Sequence, residues 1–168
     1  MQEDVGTYYS ADATRPLSIV NTDNRLLASA ARLAWEPLLA PLISDDQQGF
    51  LQGRSMIRNL VELDYFSMLS SLTSENGAAV LFDVRAAFPS VSQQFLLRTL
   101  RYFQLPELAI SLISALYDEN HCVYCVVAMQ DGKHPGFPMS SGVRQGCPLS
   151  PPLFALIMDV FICHVYNH

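Results

Sequence analysis

Ala78-Ala79-Val80-Leu81-Phe82-Asp83-Val84-Arg85-Ala86-Ala87-Phe88-Pro89-Ser90-Val91 is an apolar run that meets one carboxylate, turns, and reaches Phe88 and a helix start. Such a run, behind Gly77, suits a strand buried on both faces. Asp83 then closes that strand. A carboxylate behind core residues either meets a cation or stays neutral with its pKa raised, because an unpaired buried charge is too costly. A strand-end Asp that caps the next helix is the other reading of the same residues.

Upstream, the polar stretch Ser70 to Asn76 leads into the strand and is too short to mark a domain boundary. Before it, Ser55 can cap a helix in which Met56, Leu60, Leu63 and Phe66 recur at helical spacing. The loop Ser44-Asp45-Asp46-Gln47-Gln48-Gly49 precedes Phe50-Leu51-Gln52-Gly53-Arg54-Ser55. Earlier still, Asn21-Thr22-Asp23-Asn24 supplies N-cap candidates for a helix with Leu26, Leu27, Ala30, Leu33 and Ala34 on one stripe, ended by Pro37 and Pro41. Arg15-Pro16-Leu17-Ser18-Ile19-Val20 reads as a short extended segment, since proline fixes φ and removes a donor.

Downstream, Ser90 and Gln93 match a capping box, with Leu96, Thr99, Leu100 and Phe103 as the buried helix face. Leu105-Pro106 breaks that helix, and Leu108, Leu112 and Leu116 mark the next. Cys122 to Met129 is rich in strand formers, Asp131-Gly132 is a two-residue hairpin signal, and the return strand runs to Phe137-Pro138-Met139. A loop from Ser140 to Pro148 meets Ser150 as N-cap and Pro151 in the first turn of a last helix. That helix is apolar nearly all round, so it is expected to be buried. The strand ending at Asp83 should pair with the Cys122–Met129 hairpin, and the last helix should lie beneath that sheet.

The 168 residues suffice for one compact domain with a core. Half are hydrophobic and the mean hydropathy is +0.19, rich for a free-standing domain, which implies surface meant to be covered by further chain or a partner. Net charge is −6 and Lys133 is the sole lysine, which argues against a broad electrostatic footprint on nucleic acid but not against a few arginines placed at a phosphate site. No apolar run reaches the roughly 20 residues of a membrane span; the longest, Leu153 to Cys163, contains Asp159. Met1 to Asp12 is polar and acidic, unlike a signal or transit peptide, which leads us to expect an intracellular protein with reduced thiols. Cys122 and Cys125 form a C-x-x-C, but Cys147 and Cys163-His164 make a poor second pair, so strand residues account for it better than zinc.

Three segments together resemble reverse transcriptases: Asp83 to Val91 (D-x-x-x-A-F-P-S-V), Ser141 to Pro152 (S-G-V-R-Q-G-C-P-L-S-P-P) and Gln48 to Ser55 (Q-G-F-L-Q-G-R-S). The type is that of non-LTR (LINE-like) retrotransposons. Arg15-Pro16-Leu17-Ser18-Ile19 and Asn21-Thr22-Asp23 extend the likeness to about residues 14–165, and Arg144 to Pro151 is its most specific piece.

The resemblance implies an α+β fold: the fingers and partial palm of a polymerase, with a small antiparallel sheet packed on helices. Its parts would be a polar extension (1–13), a fingers-like segment (14–76) and a partial palm (77–168), one continuous domain fragment over 14–168. It implies RNA-directed DNA polymerisation from a dNTP, an RNA template and a DNA primer, with Asp83 as catalytic carboxylate and ligand of two Mg²⁺ ions, and the Val84 carbonyl completing the shell. Mg²⁺ keeps several waters and needs only one or two protein carboxylates. Phe88 matches the ring beneath the sugar that disfavours a 2′-OH, or is simply a core ring at a helix start. Gln145 and Gly146 match the loop that touches the incoming nucleotide. Arg15 matches an arginine on the triphosphate, and Arg25 a basic position beside it; a guanidinium fork suits phosphate. Arg54 either touches template or closes a loop, and Arg144 is a template contact or a solvated loop charge.

The family's second carboxylate motif, aromatic-x-Asp-Asp, is absent from these residues, and Asp159 lies inside the last helix and cannot replace it. Pro89 stands where many members have Asp. The expectation is therefore a polymerase fragment inactive on its own; the alternative is a reverse-transcriptase-like scaffold for RNA or protein that has lost its chemistry.

Overall fold

The computed structural model describes residues 19–118, 121–125 and 133–167. Arg15 to Ser18 and the Asp131-Gly132 turn lie outside them. The elements in chain order are α1 (Thr22–Leu39), α2 (Met56–Thr73), α3 (Ala87–Ser90), α4 (Gln93–Tyr102), α5 (Glu107–Tyr117), β1 (His121–Cys125), β2 (Lys133–Pro138) and α6 (Ser150–Tyr166), with a 3₁₀ turn at Ala40–Leu42.

The first half of α6 carries the core. Leu153, Phe154, Ala155, Leu156 and Ile157 are buried, as the all-round apolar pattern predicts, and α6 packs on α1 and α4. The face expected on α4 is found: Leu96, Thr99 and Leu100 are buried, and Phe103 packs at the cluster's margin. Helix α5 buries Ala109, Ile110, Ile113, Leu116 and Tyr117, so its inward face is rotated from the Leu108-Leu112-Leu116 stripe and Leu108 is exposed. Short polar ends set the local boundaries. Ser92, not Ser90, caps α4 by accepting from the Phe95 N–H, and the Ser90 hydroxyl donates to the Ala87 carbonyl. Ser150 is the first residue of α6 rather than its cap.

In two helices the apolar stripe read from the sequence is not the buried face. Helix α1 begins after Asn21 and runs through Pro37, which withholds only one N–H. Its inward residues are Ala28, Ala31, Glu36 and Leu39, whereas Leu26, Leu27 and Leu33 face outward. Small side chains let α1 approach α6 closely, so the alanine face is buried and the leucine face is not. Helix α2 forms where expected, with the Ser55 hydroxyl accepting from the Ile57 N–H, but none of its residues is buried.

The larger correction concerns the segment before Asp83. Residues 77–84 form no strand, and Val80, Leu81 and Phe82 are 71%, 81% and 72% exposed. Strands β1 and β2 pair antiparallel with each other only, among the described residues. Cys125 stands opposite Lys133, not the register in which a two-residue turn at Asp131-Gly132 would put residue 130 there. Among the described residues the 77–84 segment has no strand beside it, and an apolar run alone cannot supply the backbone partners that a strand needs. The helices with this ribbon keep the architecture in the α+β class, and among the described residues no strand joins the ribbon to extend it into the expected sheet.

Candidate functional site

The Asp83 segment follows α6. Phe82 meets Phe161 edge-on with centroids 6.5 Å apart, and Phe88 stacks on Phe154 at 4.5 Å and 12°. The chain from 82 to 88 therefore runs antiparallel to two turns of that helix. Asp83 itself is exposed rather than enclosed by core residues. Ala86 turns the chain with φ +51°, and α3 brings Phe88 inward.

The loop that follows β2 is fastened to this turn. The Gly142 N–H donates to the Val91 carbonyl at 2.6 Å and the Val143 N–H to the Phe88 carbonyl at 2.9 Å. Gly142 has φ +87°, and a Cβ there would come within 2.9 Å of the Pro89 Cα. Its close approach is thus to the Phe88-Pro89 backbone. Gln93, read as half of a capping box, instead sends its amide to the Met139 and Gly142 carbonyls at 3.4 and 3.3 Å.

The same loop carries Arg144, Gln145 and Gly146. Arg144 is half-buried, its guanidinium 5.6 Å from the Tyr117 ring centroid, so it is not a solvated loop charge. Its Nε is buried without a hydrogen-bond partner among the described residues. Burial, above all, pushes the Tyr117 hydroxyl upward. Gln145 is half-buried beside it, and Gly146 is exposed with φ +82°. Phe88 and the Gln145 loop are thus brought together from positions far apart in sequence. Arg25 is exposed in the first turn of α1, and Arg15 lies outside the described residues.

Arg54 closes a loop. Its Nη1 donates to the Ser44 carbonyl and, at 2.8 Å, to that of Gln47; its Nη2 donates to the Ala40 and Ile43 carbonyls, both at 2.8 Å. Its fork is thus occupied within the fold, as the loop-closing alternative expects. Buried Asp159 fastens the same loop to α6 by accepting from the Ser44 N–H at 3.1 Å and from the Ser44 hydroxyl. Glu36 accepts from Arg32 at 2.7 Å and from the Gln52 N–H at 2.9 Å. The Arg32 hydrogen bond, aided by Gln52, holds the Glu36 carboxyl below the usual range. Phe50 completes the cluster: its ring lies 5.7 Å from Phe88 and 5.8 Å from Phe154, near-perpendicular to both. Sequence reading missed Phe50, Phe154 and Tyr117 as site residues; the Gln48–Ser55 motif was the only signal for the first.

The described residues contain no group of three His, Cys, Asp or Glu side chains able to hold a metal. Asp83, one exposed carboxylate with the Val84 carbonyl beside it, does not make a donor set for two Mg²⁺ ions. A groove of about 740 Å³ lies elsewhere, between α2 and residues 77–81, lined by Leu63, Phe66, Ser70 and Leu81 among others.

The sequence profile described as "Reverse transcriptase (RNA-dependent DNA polymerase)" matches residues 6–168. The Transposon TX1 uncharacterized 149 kDa protein of Xenopus laevis is 28% identical over 149 residues, covering 89% of this chain and 11% of its own. Two Popillia japonica sequences, each a "Retrovirus-related Pol polyprotein from type-1 retrotransposable element R2", are 27% identical over 106 residues and 29% over 156. These cover 63% and 91% of this chain, and 17% and 21% of their own. The chain thus spans about a tenth to a fifth of the length of these relatives. No helix among the described residues is long and apolar enough to cross a membrane.

Proposed function

The chain belongs to the reverse transcriptase family, and from that premise we propose that it supplies the fingers (14–76) and the front half of the palm (77–168) of an RNA-directed DNA polymerase of the non-LTR type. Its substrates are a dNTP, an RNA template and a DNA primer. Phe88 lies under the sugar and excludes a 2′-OH, Gln145 and Gly146 meet the nucleotide, and Arg15 and Arg25 meet its phosphates. Asp83, with the Val84 carbonyl, is this chain's contribution to a Mg²⁺ site that further carboxylates complete. Bound there, Mg²⁺ would offset phosphate charge during nucleotidyl transfer.

One observation carries the reading: the backbone bonds from Gly142 and Val143 to Val91 and Phe88 join the two segments richest in family motif. Equilibrium binding of dTTP with Mg²⁺ tests it. The wild-type chain should bind weakly, and Asp83→Asn and Phe88→Ala should each bind more weakly still. Equal binding by all three, or none by the wild type, would remove the assignment. The scaffold alternative draws on the absence, among the described residues, of any group of three His, Cys, Asp or Glu side chains able to hold a metal. It calls for RNA binding indifferent to Asp83→Asn and for no nucleotide binding.

A further inference from the structure

Phe50 has φ +67°, in the left-handed region that a bulky side chain rarely adopts. Its neighbour Gly49 could have taken that conformation without strain. Such an outlier persists only where the surroundings over-determine it, and here they do. Gln48 and Leu51, on either side, are buried. Glu36 holds the Gln52 N–H, and Arg54 ties the far end of the loop to the Ala40, Ile43, Ser44 and Gln47 carbonyls at its start. The loop is fixed, and what it presents is an aromatic ring still 49% exposed.

That ring is directed at Phe88. Phe88 has Phe154 stacked on one face at 4.5 Å, an arrangement that alone lets the ring slide in its own plane. Phe50 meets both rings of the stack, at 86° to Phe88 and 88° to Phe154, and blocks that movement. We propose that Phe50 is a positioning residue that fixes the Phe88 ring and so sharpens discrimination at the 2′ position of the bound nucleotide. The inference rests on the reading of Phe88 as the ring beneath the sugar. Phe50 touches no substrate in this scheme; it acts through Phe88.

The test compares dUTP with UTP, which differ only in the 2′-OH, by equilibrium dialysis with Mg²⁺ against the full chain. Wild type should favour dUTP, and Phe88→Ala should erase the preference. Phe50→Gly, which relieves the backbone strain, and Phe50→Leu, which keeps apolar bulk without a ring, should each lower the ratio roughly threefold or more. They should do so by tighter UTP binding, with the urea midpoint held or raised in Phe50→Gly. Phe50→Tyr should restore the wild-type ratio. A wild-type ratio in both ring-less Phe50 variants, with the preference lost in Phe88→Ala, would overturn the inference and leave the site reading intact. A chain that binds neither nucleotide, or a Phe88→Ala variant with unchanged preference, would overturn both.

Discussion

Replacing Arg54 by Met keeps much of the aliphatic stem and removes the fork that binds four carbonyls, those of Ala40, Ile43, Ser44 and Gln47. The Arg54 side chain is only 15% exposed, so water cannot readily replace the lost donors. Hydrogen bonds from a charged donor contribute about 1.5–3 kcal/mol each, but bonds from one group are not additive. The ion pair with Asp45, at 3.9 Å on a largely exposed carboxylate, adds little. Losing the set should therefore cost about 3–5 kcal/mol, more than one charged-donor bond but less than four summed, because several part-buried carbonyls lose their donor together. With a urea slope of about 2 kcal/mol/M, the midpoint falls by about 1.5–2.5 M. Urea unfolding followed by far-UV circular dichroism measures this, with Arg54→Lys, a point charge without the fork, expected in between. A loss below about 1 kcal/mol at unchanged slope would refute the loop-tying role. Unchanged stability with weakened RNA binding would return Arg54 to the template.

Gly142→Ala meets the Pro89 backbone and a positive φ together, so it should lower thermal stability by more than the about 1 kcal/mol of an ordinary left-handed glycine, read as a shift in melting temperature. Because the folded-state pKa of Glu36 is depressed, its contribution is present above the unfolded value near about 4.3 and lost as pH falls through the folded one. Glu36→Gln should flatten the acid limb of urea midpoint against pH, and an unchanged limb would contradict the Arg32–Glu36–Gln52 linkage. Asp83→Asn should leave the unfolding midpoint unchanged, since the carboxylate is exposed, while lowering dTTP binding in Mg²⁺. Residues 1–168 alone should not extend a DNA primer on an RNA template, because catalysis of phosphoryl-type transfer is mostly positioning and charge stabilisation and one carboxylate supplies little of either. Asp83-dependent extension by this chain would refute that.

Patterning located elements better than it located their neighbours. Helices α2, α4, α5 and α6 begin near their sequence signals because caps and prolines act within a few residues. Which side of a helix is buried depends on what arrives from elsewhere in the chain. In α1 two stripes were available, and close packing on α6 favoured Ala28 and Ala31 over Leu26, Leu27 and Leu33. Arg54 and Gln93 were legible as polar residues in motifs, but not as ties, since their partner carbonyls are set by the tertiary path.

The most instructive disagreement is at residues 80–82. Their apolar run reads as core, yet they are exposed, as are most large apolar residues of α2 across the groove from them. Composition registers what a segment is suited to pack against, and a strand is stable only when its backbone groups find partners. The 83–91 turn behaves differently because its partners are in hand. Phe88 has Phe50 and Phe154, and its carbonyl has Val143. Ordering of the candidate site therefore stops between Phe82 and Phe88. On one side lies a turn locked by rings and backbone bonds; on the other, an apolar segment whose ring contact among the described residues is that of Phe82 with Phe161, at 6.5 Å. Asp83 sits at that boundary. Asp83 is exposed there, so what comes to pack on residues 79–82 governs whether it can act as a metal ligand.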